Sequence, residues 1–572
     1  MRDPSEVKGE PWLDHYPDNV RWDAPLESVP LAAFFDRAME KYRDCPGVDF
    51  LGRKYRYSEI ETLANRFAKG LQDMGITKGT KIGLCLPNTP YSIICYFGAL
   101  KAGAIIVNFN PLYVERELAF QIRDSDTRIM VTIDLELIYP KIRAMLAETN
   151  LEKIIVCKMA EALPGFKSLV LKTLRRKHLS KISYGTQIIA FGTLTDNRGE
   201  YEKISINPET DIAVLQYTGG TSGKPKGAML THANISASIS QILAYVEPTG
   251  TLIGGQEKMI GVLPFFHVYA MNAVMNLGIA LGAEIILLPR FTIDLTLKSI
   301  ARTKATIISA VPTIYTALNG AENLSKHDIS SLKYCNSGGA PLPEDVHRKF
   351  HELTGSEILE GYGLSETSSI VSCTPPGGPD KPGSIGIPLP GTLLQIRNPD
   401  NLDERMAIGE KGEICIRGPQ VMKGYWRRDD ETREAFTDGF FRTGDIGFMD
   451  DDGYVFIVDR IKDLILCSGY NVYPRMIEEA IYQHPKVEEV TVIAVADNYR
   501  GQSPKAFIKL REGKSLPEKE ILEFLKDRIS RFEMPSQIEF RPELPKTLIG
   551  KLSKKELVAE EEAKLQNKNM LE

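Results

Sequence analysis

Short apolar runs rich in β-branched residues alternate along the chain with longer stretches whose apolar positions recur every three or four residues. KIGLCLPN (81–88) predicts a strand, YSIICYFGALKAG (91–103) a helix and AIIVNFN (104–110) a second strand. The same order returns in ATIISAVP (305–312), the helical TIYTALNGAE (313–322) and SLKYCNSGG (331–339). Alternation of this kind predicts an α/β fold built on parallel sheets, because a parallel strand pair needs a crossover helix to return the chain.

From about residue 383 the texture changes. GSIGIPLPGTLLQIRN, KGEICIRG and GYVFIVDR are glycine-punctuated strands, which predict a small β-barrel or sandwich appended to the α/β body. After DRIKD (459–463) the pattern resets to helix (PRMIEEAIYQHP), strand (VEEVTVIAVA), strand (PKAFIKLRE) and helix (EKEILEFLKDRIS), an α+β unit large enough to fold alone. The predicted division is a large N-terminal domain of parallel-sheet α/β subdomains plus the barrel, 1–460, and a small α+β C-terminal domain, 461–572. The last fifteen residues, VAEEEAKLQNKNMLE, predict a charged, frayed helix.

Two segments test this reading. MIGVLPFFHVYAMNAVMNLGIALGAEIILLP (259–289) is apolar enough to raise a membrane span, but Pro264, His267, Asn272, Asn276 and Gly278-Ile-Ala-Leu-Gly282 interrupt it. A buried helix followed by a core strand is expected instead. LPGFKSLVLKTLRRKHLSK (163–181) predicts a basic amphipathic helix, with Phe166, Leu169, Val170 and Leu174 at helical spacing and Lys172, Arg175, Arg176 and Lys177 supplying charge. Such a helix can lie on an anionic bilayer, and the plainer reading is a solvated surface helix.

Composition narrows the class. The 572 residues are 43% hydrophobic and 25% charged, which excludes a largely disordered or collagen-like chain. Seventy basic against seventy-five acidic residues leave a net charge of −5, without the basic excess a nucleic-acid partner calls for, so none is expected. Eight scattered cysteines form no C-x-x-C pair, and the polar, acidic N-terminus has no apolar signal-peptide core. A reducing cytoplasm is the expected location.

Four stretches carry chemistry. Tyr217-Thr-Gly-Gly-Thr-Ser-Gly-Lys-Pro-Lys-Gly227 follows a strand-like DIAVLQ; its glycines let successive N–H groups line a phosphate, while Thr218, Thr221 and Ser222 add hydroxyls and Lys224 and Lys226 add charge. It is not a Walker A loop: Gly219 to Gly223 is one residue short, and Pro225 stands where that motif has Ser or Thr. In Glu360-Gly-Tyr-Gly-Leu-Ser-Glu-Thr367, Tyr362 can offer a ring face to a base and Glu366 a carboxylate to Mg²⁺. Asp438-Gly-Phe-Phe-Arg-Thr-Gly-Asp445 places Asp445 to accept from ribose hydroxyls, with Asp459-Arg-Ile-Lys-Asp463 following. Pro545-Lys-Thr-Leu-Ile-Gly-Lys-Leu-Ser-Lys-Lys555 carries Lys551 near the C-terminus.

In this order the four resemble the adenylate-forming superfamily of acyl-CoA synthetases, luciferases and peptide-synthetase adenylation domains, over roughly residues 30 to 557. The stretches 438–463, GPQVMKGYW (418–426), SGYNVYPRMIEEAI (468–481) and WLDHYPDNV (12–20) look like the bacterial long-chain fatty acyl-CoA synthetases of that group. The resemblance implies a phosphate loop over 217–227, including Gly219, Gly220, Thr221, Ser222, Gly223 and Lys226, with Thr218 or Thr221 and Glu366 on Mg²⁺. It implies an adenine site from Ser337-Gly338-Gly339-Ala340 with Glu360, Gly361, Tyr362 and Gly363, Ser365 at the α-phosphate, and Asp445 and Arg460 on ribose. Phe265-Phe-His267-Val268-Tyr269-Ala270 resembles the motif at the acyl pocket mouth, where His267 is read as catalytic and Val268 as a nucleotide contact; Tyr269, Ala270, Met271 and Val274 are read as the pocket. A histidine in an apolar run is also often a hydrogen-bonded core residue. Lys462 matches the hinge of a mobile C-terminal domain that rotates about 459–463, Lys551 the lysine bridging carboxylate and α-phosphate, and Ser468 and Gly469 the CoA tunnel. Two departures stand out: Gly219 replaces a common Ser or Thr, and Leu466 a lysine of some long-chain relatives.

The implied reaction joins a medium- or long-chain fatty acid to ATP as acyl-AMP, then to CoA as the thioester, using ATP, Mg²⁺ and coenzyme A. Alternatives are an aryl or alicyclic CoA ligase, an acyl-AMP ligase feeding a carrier protein, and a non-catalytic lipid binder. Fatty acid, ATP and CoA are the expected partners, with a homodimer and a peripheral contact of 163–181 with the inner face of the membrane as further expectations.

Overall fold

The computed structural model describes residues 7–571 other than 219–224, 380, 468–469, 498–499 and 548–551. One sheet has seven strands in the order Ile188–Ala190, Lys153–Cys157, Ile129–Ile133, Lys81–Leu84, Ile105–Asn108, Ile212–Thr218 and Lys226–Thr231, all parallel except the last. A nine-stranded sheet runs from Ile387–Pro388 and Ser372–Cys373 through Ile358–Tyr362, Tyr334–Gly338, Ile307–Ala310, Lys258–Gly261 and Glu284–Leu287 to Pro46–Phe50 and Arg53–Arg56. Its central strands are parallel and its edges antiparallel. Strands such as Ile129–Ile133 are buried throughout, as strands covered on both faces by crossover helices must be. The helix Pro90–Lys101 is buried on every side, with Pro90 at its first turn, where a missing N–H costs nothing.

The expected barrel is a six-stranded antiparallel sheet, in which Leu393–Asn398, Gly412–Arg417, Phe440–Met449 and Val455–Arg460 pair in succession. A five-stranded sheet follows, built from Ile465–Cys467, Tyr470–Val472, Val487–Asp497, Gly501–Leu510 and Gln537–Phe540. The large hydrophobic core draws on residues from Val7 to Val455. Two separate cores, one from Ile465 to Leu525 and one around Phe507 and Leu557, belong to the last sheet and its helices. Leu557 packs the start of the terminal helix Lys554–Leu571 into the second of these cores.

The apolar 259–289 segment is buried, as expected, and opens with a strand the periodicity concealed. It runs Lys258–Gly261, a short helix Val268–Ala270, a π-helical turn Met271–Asn276, a helix Leu277–Leu281 and the strand Glu284–Leu287. Among the described residues no helix is long and apolar enough to cross a membrane. The helix in 163–181 is shorter than its pattern: Gly165–Thr173, with Arg176–His178 a separate 3₁₀ turn. Backbone bonds from Glu136 to the His178 carbonyl and from Ser180 to the Asp134 carbonyl draw the chain onto a neighbouring edge and end the helix.

Two features place the site. Tyr334–Gly338 and Ile358–Tyr362 are parallel neighbours with Ser337 opposite Glu360 and Gly338 opposite Gly361, so 338–340 and 360–363 emerge side by side at their carboxyl ends. Ligands of open parallel sheets bind at that edge. In the antiparallel sheet Asp445 lies opposite Arg460.

Candidate active site

Tyr362 joins these two sheets. Its hydroxyl donates to Asp445 Oδ2 at 2.5 Å, and Arg460 Nε meets Asp445 Oδ1 at 3.0 Å. Asp445 is only 3% exposed, so its charge is compensated by the guanidinium rather than by water. Burial and then the Asp445 charge hold the Tyr362 phenol well above its ordinary pKa, which keeps it a donor; Asp445 likewise raises Arg460.

Glu366 sits on the 3₁₀ turn Ser365–Thr367, with Ser365 at the turn's start. Its Oε1 accepts from the Tyr425 hydroxyl at 2.9 Å, and its carbonyl accepts from Met422 N at 2.7 Å. Burial pushes its carboxyl pKa up, while Arg460 and Asp445 are near enough to act on it with opposite sign. Among the described residues Glu366 makes no ion pair. A half-buried carboxylate without a cation among the described residues fits Mg²⁺, which is held by one or two carboxylates together with substrate phosphates. Thr218 ends its strand opposite Lys226, whose ammonium lies 5.1 Å from the centre of the Tyr425 ring. Tyr425 thus links Lys226 to Glu366. It lay inside GPQVMKGYW, yet sequence reasoning gave it no role; a tyrosine in a glycine-flanked segment was the available signal.

The glycines are there for contact. Gly339 has φ +83°. A Cβ on Gly338 would press on the Gly361 carbonyl at 3.1 Å and the Tyr269 ring at 3.3 Å, and one on Gly363 would lie 1.5 Å from the Ser369 carbonyl. Glu360 accepts from Leu342 N at 3.2 Å, beside the half-buried Ala340.

His267 caps the short helix Val268–Ala270, its Nδ1 accepting from Tyr269 N at 3.3 Å. Val268, Ala270, Met271 and Val274 are buried. The Tyr269 hydroxyl donates to Asn336 and its ring covers Gly338, where the absent side chain leaves room. The cavity beside this segment has about 10 Å³, room for one water, and is lined by Leu84, Leu86, Tyr96, Asn108, Phe266 and Met275 among others. The first four come from distant elements and were not foreseen. Met271 Sδ accepts from Asn108 Nδ2 at 3.2 Å.

Lys462 lies exposed on the 3₁₀ turn Ile461–Asp463, its ammonium pKa lowered by partial desolvation and then by Arg460. Gly219, Gly220, Thr221, Ser222, Gly223, Ser468, Gly469 and Lys551 lie outside the described residues.

Fold and site together are those of a nucleotide-binding α/β enzyme. The chain belongs to the AMP-binding enzyme family, whose pattern matches residues 35–426, with the AMP-binding enzyme C-terminal domain matching 476–551. It is 41% identical over 556 residues to a long-chain-fatty-acid–CoA ligase of Bacillus subtilis (strain 168), covering 96% of this chain and 98% of that protein. It is 36% identical over 565 residues to the ligase of the same description from Escherichia coli O157:H7, covering 97% and 99%. Among solved structures it resembles ATP-bound MatB from Rhodopseudomonas palustris, with a TM-score of 0.81, 29% identity and coverage of 92% and 98%.

Proposed function

We propose that this chain activates a medium- or long-chain fatty acid with ATP and transfers the acyl group to coenzyme A. The observation that carries the reading is the Tyr362–Asp445–Arg460 set, closed around a buried Asp445, beside a half-buried Glu366 at the carboxyl edge of the parallel sheet; the relatives' names supply the acyl class. A carboxylate oxygen attacks the α-phosphorus and the bond to pyrophosphate breaks. The CoA sulfur then attacks the acyl carbonyl, and AMP leaves. Mg²⁺ held by Glu366 and Thr218 or Thr221 would offset the charge of the phosphates.

In this reading Gly338, Gly339, Ala340, Glu360, Gly361, Tyr362 and Gly363 hold adenine, Asp445 and Arg460 orient ribose, and Ser365 touches the α-phosphate. The loop 219–223 with Lys226 holds the outer phosphates. Lys551 supplies positive charge at the reacting phosphate, where such contacts contribute most. The domain from 461 onward turns about 459–463, bringing Ser468 and Gly469 toward CoA for the second step; its separate cores support this. His267 and the apolar residues behind it receive the acyl chain. The decisive experiment measures AMP and pyrophosphate release from ATP and palmitate with and without CoA, then profiles C6–C18 acids against benzoate. Release without acyl acid, or benzoate outrunning every fatty acid, would overturn the fatty acyl reading.

Peripheral membrane contact is the finer part of the reading. No residue of Gly165–Thr173 is buried, and Phe166 and Leu174 are 78% and 82% exposed beside Lys172, Arg175, Arg176 and Lys177. Changing Arg175, Arg176 and Lys177 to Glu should reduce sedimentation with anionic vesicles while turnover of soluble substrate persists; unchanged sedimentation would return the helix to a solvated face. A homodimer, the remaining expectation, is tested by light scattering on the eluting protein.

A further inference from the structure

The turn that presents Glu366 is held in an unfavourable shape. Ser368 has φ +54° and Ser369 φ +118°, conformations that side chains other than glycine rarely adopt. Strain of this kind persists only where the surroundings over-determine it. Here the surroundings are specific. The Ser368 carbonyl accepts from Asn272 Nδ2 at 2.8 Å and from Ser238 Oγ at 3.3 Å, filling both lone pairs. Asn272 Nδ2 also donates to Ser238 Oγ at 2.8 Å, and Ser368 Oγ donates to the Gln420 carbonyl at 2.9 Å. Asn272, Ser238 and Ser368 are all completely buried.

Asn272 is itself oddly placed. It lies in the π-helical turn Met271–Asn276, a form that is rare and often marks functional sites. Its Oδ1 accepts from Asn276 Nδ2 at 3.2 Å, and Asn276 reaches the Tyr96 hydroxyl at 3.4 Å on the wall of the small cavity beside Met275. An asparagine in a run such as AMNAVMN is easily dismissed as an interruption of a core helix. Its bonds show instead that it spans from the acyl-side helix to the carbonyl two residues after Glu366.

We infer that Asn272, assisted by Ser238, is a positioning residue for Glu366: it fixes the 364–369 turn so that the half-buried carboxylate stays aimed at the magnesium–nucleotide site. The inference rests on the adenylating role of Glu366 given above. Asn272 touches no reacting atom, so its loss should show as weakened metal–nucleotide engagement and leave the acyl and CoA parameters alone.

Three variants test it. Asn272→Asp keeps the shape but turns an acceptor toward the Ser368 carbonyl; Asn272→Leu removes the bonds; Ser238→Ala removes one of the two bonds and is the mildest. In the absence of fatty acid, calorimetric binding of MgATP should weaken about tenfold in Asn272→Asp and Asn272→Leu and about threefold in Ser238→Ala. The Mg²⁺ concentration for half-maximal pyrophosphate release should rise by the same factors, with KM for palmitate and CoA unchanged. Near-ultraviolet dichroism identifies the variants that are folded at the assay temperature; if neither Asn272 variant is, Ser238→Ala decides. A folded variant with wild-type MgATP affinity and Mg²⁺ dependence, or with a uniform fall in kcat alone, overturns the inference. Failure of the underlying reading would look different, since the wild-type protein itself would then release no pyrophosphate with palmitate.

Discussion

Around Tyr362 the nucleotide side of the site is a closed set of polar contacts between two sheets, with Tyr362, Asp445, Arg460, Glu366 and Tyr425 each partnered within 3.0 Å. Beside the segment proposed to receive the acyl chain, the cavity between Phe266 and Met275 holds about one water. One half is organised before any ligand arrives, as electrostatic catalysis requires. The other must open by repacking Met275, Phe266 and their neighbours before a chain can enter. Charge has to be placed in advance because dipoles that reorganise during reaction lose their benefit, whereas methylene groups need only volume.

The largest break in this comparison comes from removing charge on the organised side. Glu366→Gln should depress acyl-AMP formation 10²–10³-fold, about 3–4 kcal/mol of barrier, measured in a single turnover. Lys551→Ala should do the same to that step and spare thioester formation from preformed acyl-AMP and CoA, as rapid quench would resolve. Equal loss in both steps would mean Lys551 serves the fold or both poses alike.

Next in size is Asp459, the neighbour of Arg460. It accepts from Arg475 N at 2.7 Å, and burial pushes its carboxyl pKa up to about 6 despite Lys554 nearby. Because the folded-state pKa is raised, the folded state favours the protonated acid. The associated stability is present at low pH and is lost as pH rises through 6, a change of about 3 kcal/mol at most. Asp459→Asn should flatten melting temperature against pH between 4.5 and 7.5; an unaltered slope would assign the titration elsewhere.

On the adaptable side, Met275→Ala should shift selectivity toward longer or bulkier acids by about tenfold in kcat/KM, each methylene contributing about 0.8 kcal/mol, with KM for ATP unchanged. A changed ATP KM would show that the two halves are not separable. Tyr425→Phe is the smallest effect. It deletes one hydrogen bond to Glu366 and should cost about 1 kcal/mol in adenylation, visible as a fall of about fivefold in single-turnover rate.

Much of this was legible beforehand because the chemistry lies in contiguous stretches. Tyr362 and Glu366 share one, and Asp445 and Arg460 sit at the ends of another. Strand runs such as 104–110 and 305–312 were plain because parallel strands are apolar on both faces. The cavity lining was not legible: Leu84, Tyr96 and Asn108 reach it from a strand, a helix and a strand far from His267 in sequence. Tyr425 and Asn272 were missed for a related reason, since each acts through a long-range bond that no local pattern encodes.

The separate cores of the last sheet bear on how turning of that unit would respond to conditions. The large core and the smaller ones have no residue in common. What crosses between them includes polar and ring contacts: Arg511 to Asp345 at 3.2 Å, Asp459 to Arg475 N, and Lys411 over Tyr473 at 5.1 Å. Heat-capacity change follows apolar surface exchanged with water. A turn that leaves every core intact therefore has almost none, and the balance between poses should vary little in slope with temperature. In the proposed turn, ionic strength, acting on half-exposed charges such as Arg511 and Asp345, would set how long the unit dwells in each orientation.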